Sequence, residues 1–383
     1  MGAASTQIVI SGYYGFRNSG DEAVLQSILI ALQKHAEAGG IHIEPVVLSI
    51  DPEWTSTTYG VRSVHRMRLG EVRRAISESS GVISGGGSLL QDVTGTKSIP
   101  YYLGVLKLAQ WMGKPTFIYA QGIGPVNRKW FHPMIKGVFR KCSYVSVRDE
   151  QSRQLLGSMG LQTGSIDVVP DPVMGLTLPD EQQFSEAAGL PHRPVNEHTL
   201  PLVGISVRFW EQDRRELDAL TEGLLLASAE QPFHLRFLPF HHSSDNQASR
   251  YIMDKLTVGI TQHGGSVSLC EDALHPQQML REVGQCDLLI GMRLHSLIYA
   301  AGRRVPMVGV SYDPKIDHFL NRIDAAPIGR TADLTGEAVA GEVLQLLASQ
   351  TAWRAAREPL IAALIQEAEA PAKRIVDYFH HEG

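Results

Sequence analysis

A histidine, a lysine and two arginines follow short apolar runs in this sequence, and their types suit an anionic ligand. Gly291-Met292-Arg293-Leu294-His295-Ser296 comes after residues 288–290 and opens a short helix. An arginine and a histidine two apart at a helix N-terminus can face one anion, with the helix dipole adding to their charge. A histidine there can move a proton near neutral pH, or serve as a cap or a core hydrogen-bonding group. Ser311-Tyr312-Asp313-Pro314-Lys315 follows residues 306–310 and sets Lys315, a compact phosphate-seeking charge, in the next such loop. Ser146-Val147-Arg148-Asp149-Glu150 carries Arg148 to a strand end. Its planar guanidinium can clamp a carboxylate or phosphate there, or form an ion pair with Asp149 or Glu150.

Two glycine-rich stretches point to close backbone approach. Gly12-Tyr13-Tyr14-Gly15-Phe16-Arg17-Asn18-Ser19-Gly20-Asp21-Glu22 lies between a strand and a helix. Free helix N–H groups there favour an anion or a sugar hydroxyl, and the alternative is a tight turn capped by Asn18 or Ser19. The spacing of Gly12, Gly15 and Gly20 is not a dinucleotide fingerprint. Gly85-Gly86-Gly87-Ser88-Leu89-Leu90-Gln91-Asp92 reads as a loop that lets a ligand touch main chain, or as close strand-to-helix packing. It lacks the lysine and hydroxyl residue of a P-loop. Tyr119-Ala120-Gln121-Gly122-Ile123-Gly124-Pro125 is a further punctuated strand end.

The elements that must position these groups alternate strand and helix. Residues 7–11, 45–49, 81–84, 116–119, 144–147 and 166–169 read as strands, and residues 21–38 as a helix with Val24, Ile28 and Leu32 on one face. A Pro-rich segment, residues 178–201, reads as a linker. A second series follows, with strands at 202–207, 234–238, 288–290 and 306–310 and a helix at 212–229. The expected organisation is an N-terminal Rossmann-like domain over 1–177, the linker, a C-terminal Rossmann-like domain over 202–350 and a helical segment over 351–383 broken near Pro371. Two such α/β halves with a cleft between them resemble the GT-B architecture of sugar-handling enzymes. In open parallel sheets ligands bind beyond the carboxyl ends of the strands, where all these motifs fall.

Bulk properties narrow the function classes. The chain has 383 residues, 43% hydrophobic and 20% charged, with formal net charge −5. This is a globular composition with no basic excess, so nucleic acid is not an expected partner. The three cysteines, Cys142, Cys270 and Cys286, lack metal-ligand spacing. No metal and no cofactor are expected. No export signal precedes Ile8-Val9-Ile10, so a cytoplasmic location is expected.

The ordered set of motifs resembles the polysaccharide pyruvyltransferase family over residues 8 to about 320, and within it the CsaB-type enzymes of bacterial cell-wall polymer synthesis. The resemblance implies phosphoenolpyruvate as co-substrate and a lipid-linked, β-ManNAc-containing saccharide as acceptor, converted to a 4,6-linked pyruvate ketal. It carries donor-site roles onto Arg148, His295 and Lys315 as catalytic residues and onto Arg293 and Leu294 as donor-binding ones. The first half is then expected to hold the acceptor through Gly15, Asn18, Asp21, Gly86, Gly87 and Asp92. A lipid-linked acceptor implies peripheral contact with the inner membrane face. Candidate contacts are the stretch with Arg62, Arg66, Arg68, Arg73 and Arg74, and Arg128 and Lys129 beside Trp130. Rival readings are a glycosyltransferase using a nucleotide sugar on the same scaffold, and a non-catalytic sugar-binding protein.

Overall fold

A computed structural model describes residues 5–93, 95–179 and 200–382. It divides into two compact units, residues 1–176 with 364–383, and residues 177–363. Most of the expected linker, 180–199, lies outside the described residues.

The first unit is built on strands β1 (Ser5–Tyr14), β2 (His42–Ser49), β3 (Arg62–His65), β4 (Gly81–Ser84), β5 (Gly87–Leu90), β6 (Thr116–Ile123), β7 (Tyr144–Val147) and β8 (Asp167–Val168). They form a parallel sheet in the order β3-β2-β1-β4-β6-β7-β8, with β5 paired to β6. Every residue of β6 is buried, as a strand covered by helices on both faces requires. The intervening helices are α1 (Ser19–Gly39), α2 (Pro52–Tyr59), α3 (Leu69–Glu78), α4 (Ser98–Trp111), α5 (Phe131–Phe139) and α6 (Glu150–Ser158). Asn18 caps α1 by accepting from the Gly20 N–H, and Gly40, in the left-handed region at φ 68°, closes it. The glycine run expected to be all loop is partly strand, because Gly87 and Leu90 pair with Gln121 and Ile123.

The second unit carries β9 (Leu202–Ser206), β10 (His234–Phe237), β11 (Ser266–Leu269), β12 (Leu288–Gly291), β13 (Met307–Ser311) and β14 (Gly329–Arg330). Their order is β11-β10-β9-β12-β13-β14, again parallel. Its helices are α7 (Arg215–Glu230), α8 (His242–Gln262), α9 (Pro276–Gly284), α10 (Leu294–Gly302), α11 (Pro314–Arg322) and α12 (Gly336–Ala368), which bends at Ser349. The final helix, α13 (Ala370–Glu382), belongs to the first unit. It packs on α1 and sets Tyr378 and Phe379 edge-on to Phe117 of β6, at ring separations of 5.2 and 5.5 Å. Just before it, Glu369 holds Lys34 with both oxygens at 2.7–2.8 Å. The helical tail is thus broken at Glu369, and Pro371 sits in the first turn of α13 where its missing N–H is harmless.

Candidate functional site

In each sheet the strand order reverses beside the strand that opens the unit: between β1 and β4 in the first, and between β9 and β12 in the second. Ligands of open α/β sheets bind outside the carboxyl ends at such a point. The expected site residues follow strands that lie at or near these reversals.

In the first unit the stretch Gly12–Glu22 forms the end of β1, the loop Gly15–Asn18 and the start of α1, and Gly85 and Gly86 join β4 to β5. Glu22, buried in the first turn of α1, binds the loop back onto the helix. Its Oε1 accepts from Gly15 N at 2.8 Å and Arg17 N at 3.2 Å, and its Oε2 from Tyr59 Oη at 2.9 Å. Gly15 adopts φ 80°, and a Cβ there would lie 2.1 Å from Ser49 Oγ. Gly15 therefore lets the loop press against the end of β2. A Cβ on Gly86 would reach 2.9 Å from Val24 Cγ1, so that glycine serves strand-to-helix packing. Gly87, at φ 91°, lies against Asp21, whose Oδ1 would be 3.1 Å from a Cβ.

Asp21 is the carboxyl left over in this unit. It makes no hydrogen bond to the described residues. Burial, followed by the charges of Glu22 and Asp171, pushes it up to about 7, against the lowering effect of Arg148. Desolvation likewise pushes Glu22 up to about 7, outweighing its hydrogen bonds. Nearby, Tyr14 Oη and the Gln121 amide are buried without a hydrogen-bond partner among the described residues. Unsatisfied polar groups of this kind call for a water or a ligand group.

Arg148 ends β7 and crosses to the same region. Its guanidinium donates to Asp171 Oδ2 and to Ser88 Oγ, each at 3.0 Å. A Cβ on Gly122 would lie 2.8 Å from Arg148 Nη2, so Gly122 clears the path of that side chain. Asp171, which also caps the short turn Pro172–Gly175, was not among the expected residues. Its signal in sequence is an aspartate between two prolines, Pro170-Asp171-Pro172.

Two of the expected acceptor residues have structural commitments. Asn18 spends its side-chain oxygen on the α1 cap. Asp92 is buried, with its carboxylate accepting from Asn127 N at 2.9 Å and Arg128 N at 2.7 Å, bonds that hold its pKa below the usual carboxylate range. It orders the turn after β6 and presents no free oxygen pair to an acceptor. Arg66 is no surface contact either: it is buried, donates to Gly12 O and Tyr102 Oη, and lies over the Phe16 and Tyr101 rings. Arg62 and Arg68 pair with Glu78 and Glu71. Lys129, Trp130 and Met134 remain exposed at the start of α5.

In the second unit β12 and β13 are neighbours in parallel register, with Gly291 opposite Gly309. They bring the Arg293-Leu294-His295 turn and Lys315 to one end of one sheet. Arg293 stands just before α10 and binds Asp245 through Nε, at 3.0 Å, and Nη2, with Ser244 Oγ beside it. Asp245 is fully buried and also accepts from His241 N. Arg293 is thus committed to an internal bidentate pair, which the sequence reading did not foresee. Lys315 is half exposed and paired with Asp313, the α11 cap, at 3.1 Å. Leu294 and His295 are partly buried in the first turn of α10. Glu216 in α7 repeats the role of Glu22, its Oε1 accepting from Trp210 N and Glu211 N at 3.0 and 3.2 Å.

The fold is widespread among sugar-handling enzymes. A UDP-GlcNAc 2-epimerase from Methanocaldococcus jannaschii superposes with TM-score 0.66 at 12% identity, covering 98% of this chain and 99% of that one. A glycosyltransferase from Rickettsia africae gives 0.62 at 12% identity over 99% and 98%. A UDP-GlcNAc 2-epimerase from Neisseria meningitidis, solved with UDP-GlcNAc, gives 0.62 at 10% identity over 99% and 100%. At such identities the likeness speaks for a two-domain, GT-B-like α/β fold. No helix among the described residues is long and apolar enough to cross a membrane. The model of the family described as Polysaccharide pyruvyl transferase matches residues 18–314, a span that takes in α1, the glycine run, Arg148 and the α10 turn. That span covers most of the chain, which therefore belongs to the polysaccharide pyruvyl transferase family and is an enzyme of pyruvyl transfer.

Proposed function

We propose that the enzyme transfers the pyruvyl group of phosphoenolpyruvate to two hydroxyls of a cell-wall saccharide, forming a 4,6-linked ketal and releasing phosphate. The acceptor in this reading is a lipid-linked sugar containing β-ManNAc, as in the CsaB-type enzymes the motifs resemble. The observation that carries it is the pairing of β12 with β13, which gathers His295 and Lys315 at one sheet end beside a helix N-terminus. Such an end suits the phosphate and carboxylate of a small dianionic donor.

The chemistry needs a proton on the methylene carbon of the donor. C2 then becomes electron-poor and one sugar hydroxyl adds to it. The C–O bond to phosphate breaks, and the second hydroxyl closes the ring. Of the two hydroxyl protons, one is balanced by the new methyl group and the other leaves on phosphate. His295 supplies or holds the proton on the donor side, and Lys315 offsets donor charge. Asp21, with a carboxyl pushed up to about 7, takes the hydroxyl proton on the acceptor side. Arg148 holds Asp171 and Ser88, and its positive charge works against the upward shift of the Asp21 pKa from the same unit. No cofactor or metal enters this scheme.

A lipid-linked acceptor also requires contact with the inner membrane face. Arg73 and Arg74, exposed on α3, and Lys129 beside Trp130 are the candidates that remain, with Trp130 56% exposed. Incubation with phosphoenolpyruvate and lipid-linked disaccharides, followed by mass spectrometry, should show the ketal with stoichiometric phosphate. Release of an ultraviolet-absorbing nucleotide from a nucleotide sugar would instead mark a glycosyltransferase.

A further inference from the structure

Arg208 lies two residues beyond the end of β9, on one side of the strand reversal in the second unit, and Arg293 lies two residues beyond β12 on the other. Ser206 and Gly291 are opposite each other in the register, so both arginines leave the sheet at the same level. Their surroundings differ. Arg293 is consumed by Asp245. Arg208 makes no ion pair with a carboxylate among the described residues. Its Nη1 donates to Tyr312 Oη at 3.1 Å, and its Nε to the carbonyl of Phe209 at 3.5 Å.

Aromatic rings hold the rest of it. The guanidinium carbon is 4.9 Å from the centre of the Tyr312 ring and 5.2 Å from that of Trp210. Those two rings lie 4.5 Å apart. Trp210 is itself anchored, its N–H bound by buried Glu216. A partly buried guanidinium fixed by ring faces and a phenol, with no carboxylate, keeps donors available for an incoming anion. Ser206 Oγ, two residues earlier, is fully buried and has no hydrogen-bond partner among the described residues. Tyr312 leads from β13 into α11, whose first turn carries Lys315, so the Arg208–Tyr312 bond links the end of β9 to the end of β13, one strand beyond β12.

We infer that Arg208 is a primary anion ligand of the second unit, receiving the phosphate of a small phosphorylated substrate, with Tyr312 and Trp210 acting as positioning residues. In identifying that substrate as the pyruvyl donor, the inference rests on the function proposed above.

The test is titration calorimetry of the full chain with phosphoenolpyruvate and, separately, with inorganic phosphate, alongside steady-state kinetics. Arg208→Met should weaken both ligands at least ~10-fold, the loss expected for charge-assisted hydrogen bonds. The acceptor KM should hold. Arg208→Lys should recover only part of the affinity, because a lysine lacks the fork. Tyr312→Phe should raise the donor KM less than Arg208→Met and leave kcat near normal. Circular dichroism checks that each variant is folded. If folded Arg208→Met and Arg208→Lys bind both ligands as the native enzyme does, the inference is overturned. If inorganic phosphate binding depends on Arg208 but phosphoenolpyruvate neither binds nor turns over in the native enzyme, the anion site stands and the donor identity falls.

Discussion

Each unit of this enzyme ends its sheet with an arginine gripped by one buried aspartate and one serine, yet the two leave opposite charges over. In the first unit Arg148 goes to Asp171 and Ser88, and the uncommitted group is an acid, Asp21. In the second Arg293 goes to Asp245 and Ser244, and the uncommitted group is a cation, Arg208. Even the loop strap is repeated, as Glu22 in one unit and Glu216 in the other. The arginine–aspartate pairs tie each strand end to a distant element of its own unit. What a sheet end can do chemically follows from the group that pairing leaves free: an acid to move hydroxyl protons, or a guanidinium to receive an anion.

The largest effect should come from breaking these arginine–aspartate pairs. Arg148→Met and Arg293→Met each strand a buried aspartate, with side-chain exposure of 3% and 0%, which costs about 3–5 kcal/mol. Chemical denaturation should show both losses. Combining Arg293→Met with Asp245→Leu should regain most of the second one, because no charge is then left without a partner. Equal stability of Arg293→Met and native protein would mean that Asp245 is not the partner the geometry indicates.

Next is the leftover acid. Asp21→Asn should lower kcat by at least ~100-fold, the scale of lost general acid–base catalysis, while donor affinity is kept. In the native enzyme kcat should rise through pH about 7, where Asp21 loses its proton. An Asn variant with near-native turnover would return Asp21 to a merely local role at the α1 terminus.

His295→Ala and Lys315→Ala should separate by degree. His295→Ala is expected to lose ~100-fold in turnover, and normal phosphoenolpyruvate binding in that variant would identify proton transfer as its part. Lys315 is half exposed and already paired with Asp313, so Lys315→Ala should cost only ~10-fold. If both folded variants keep half the native rate, the donor does not bind at this sheet end.

A separate effect is a pH dependence of stability. Burial raises Asp21 and Glu22 to about 7 in the folded chain, from ordinary values of 3.8 and 4.5. Between those limits the folded state holds more protons than the unfolded one, so the stability these groups contribute is present at low pH and is lost as pH rises through about 7. Thermal melts of native enzyme and Asp21→Asn should therefore diverge in favour of the variant between pH 5 and pH 8. Parallel curves would mean Asp21 is ionised in the fold at no penalty.

Much of this was legible from local pattern. Short apolar runs, helical spacing of Val24, Ile28 and Leu32, and glycine punctuation marked the strand–loop–helix units and the ends where chemistry gathers. Those signals are local because a β–α turn is made by consecutive residues. Glycine demands were visible too, although whether Gly86 served a ligand or served Val24 depended on packing. Tertiary structure alone decided which strands are neighbours, that the last helix returns to the first unit, and which acid owns which arginine. Asp171 lies 23 residues from Arg148, and Asp245 lies 48 from Arg293, on separate elements that no periodicity links. The group left free at each sheet end could not be read from the chain, because freedom is what remains after every distant partner has been placed.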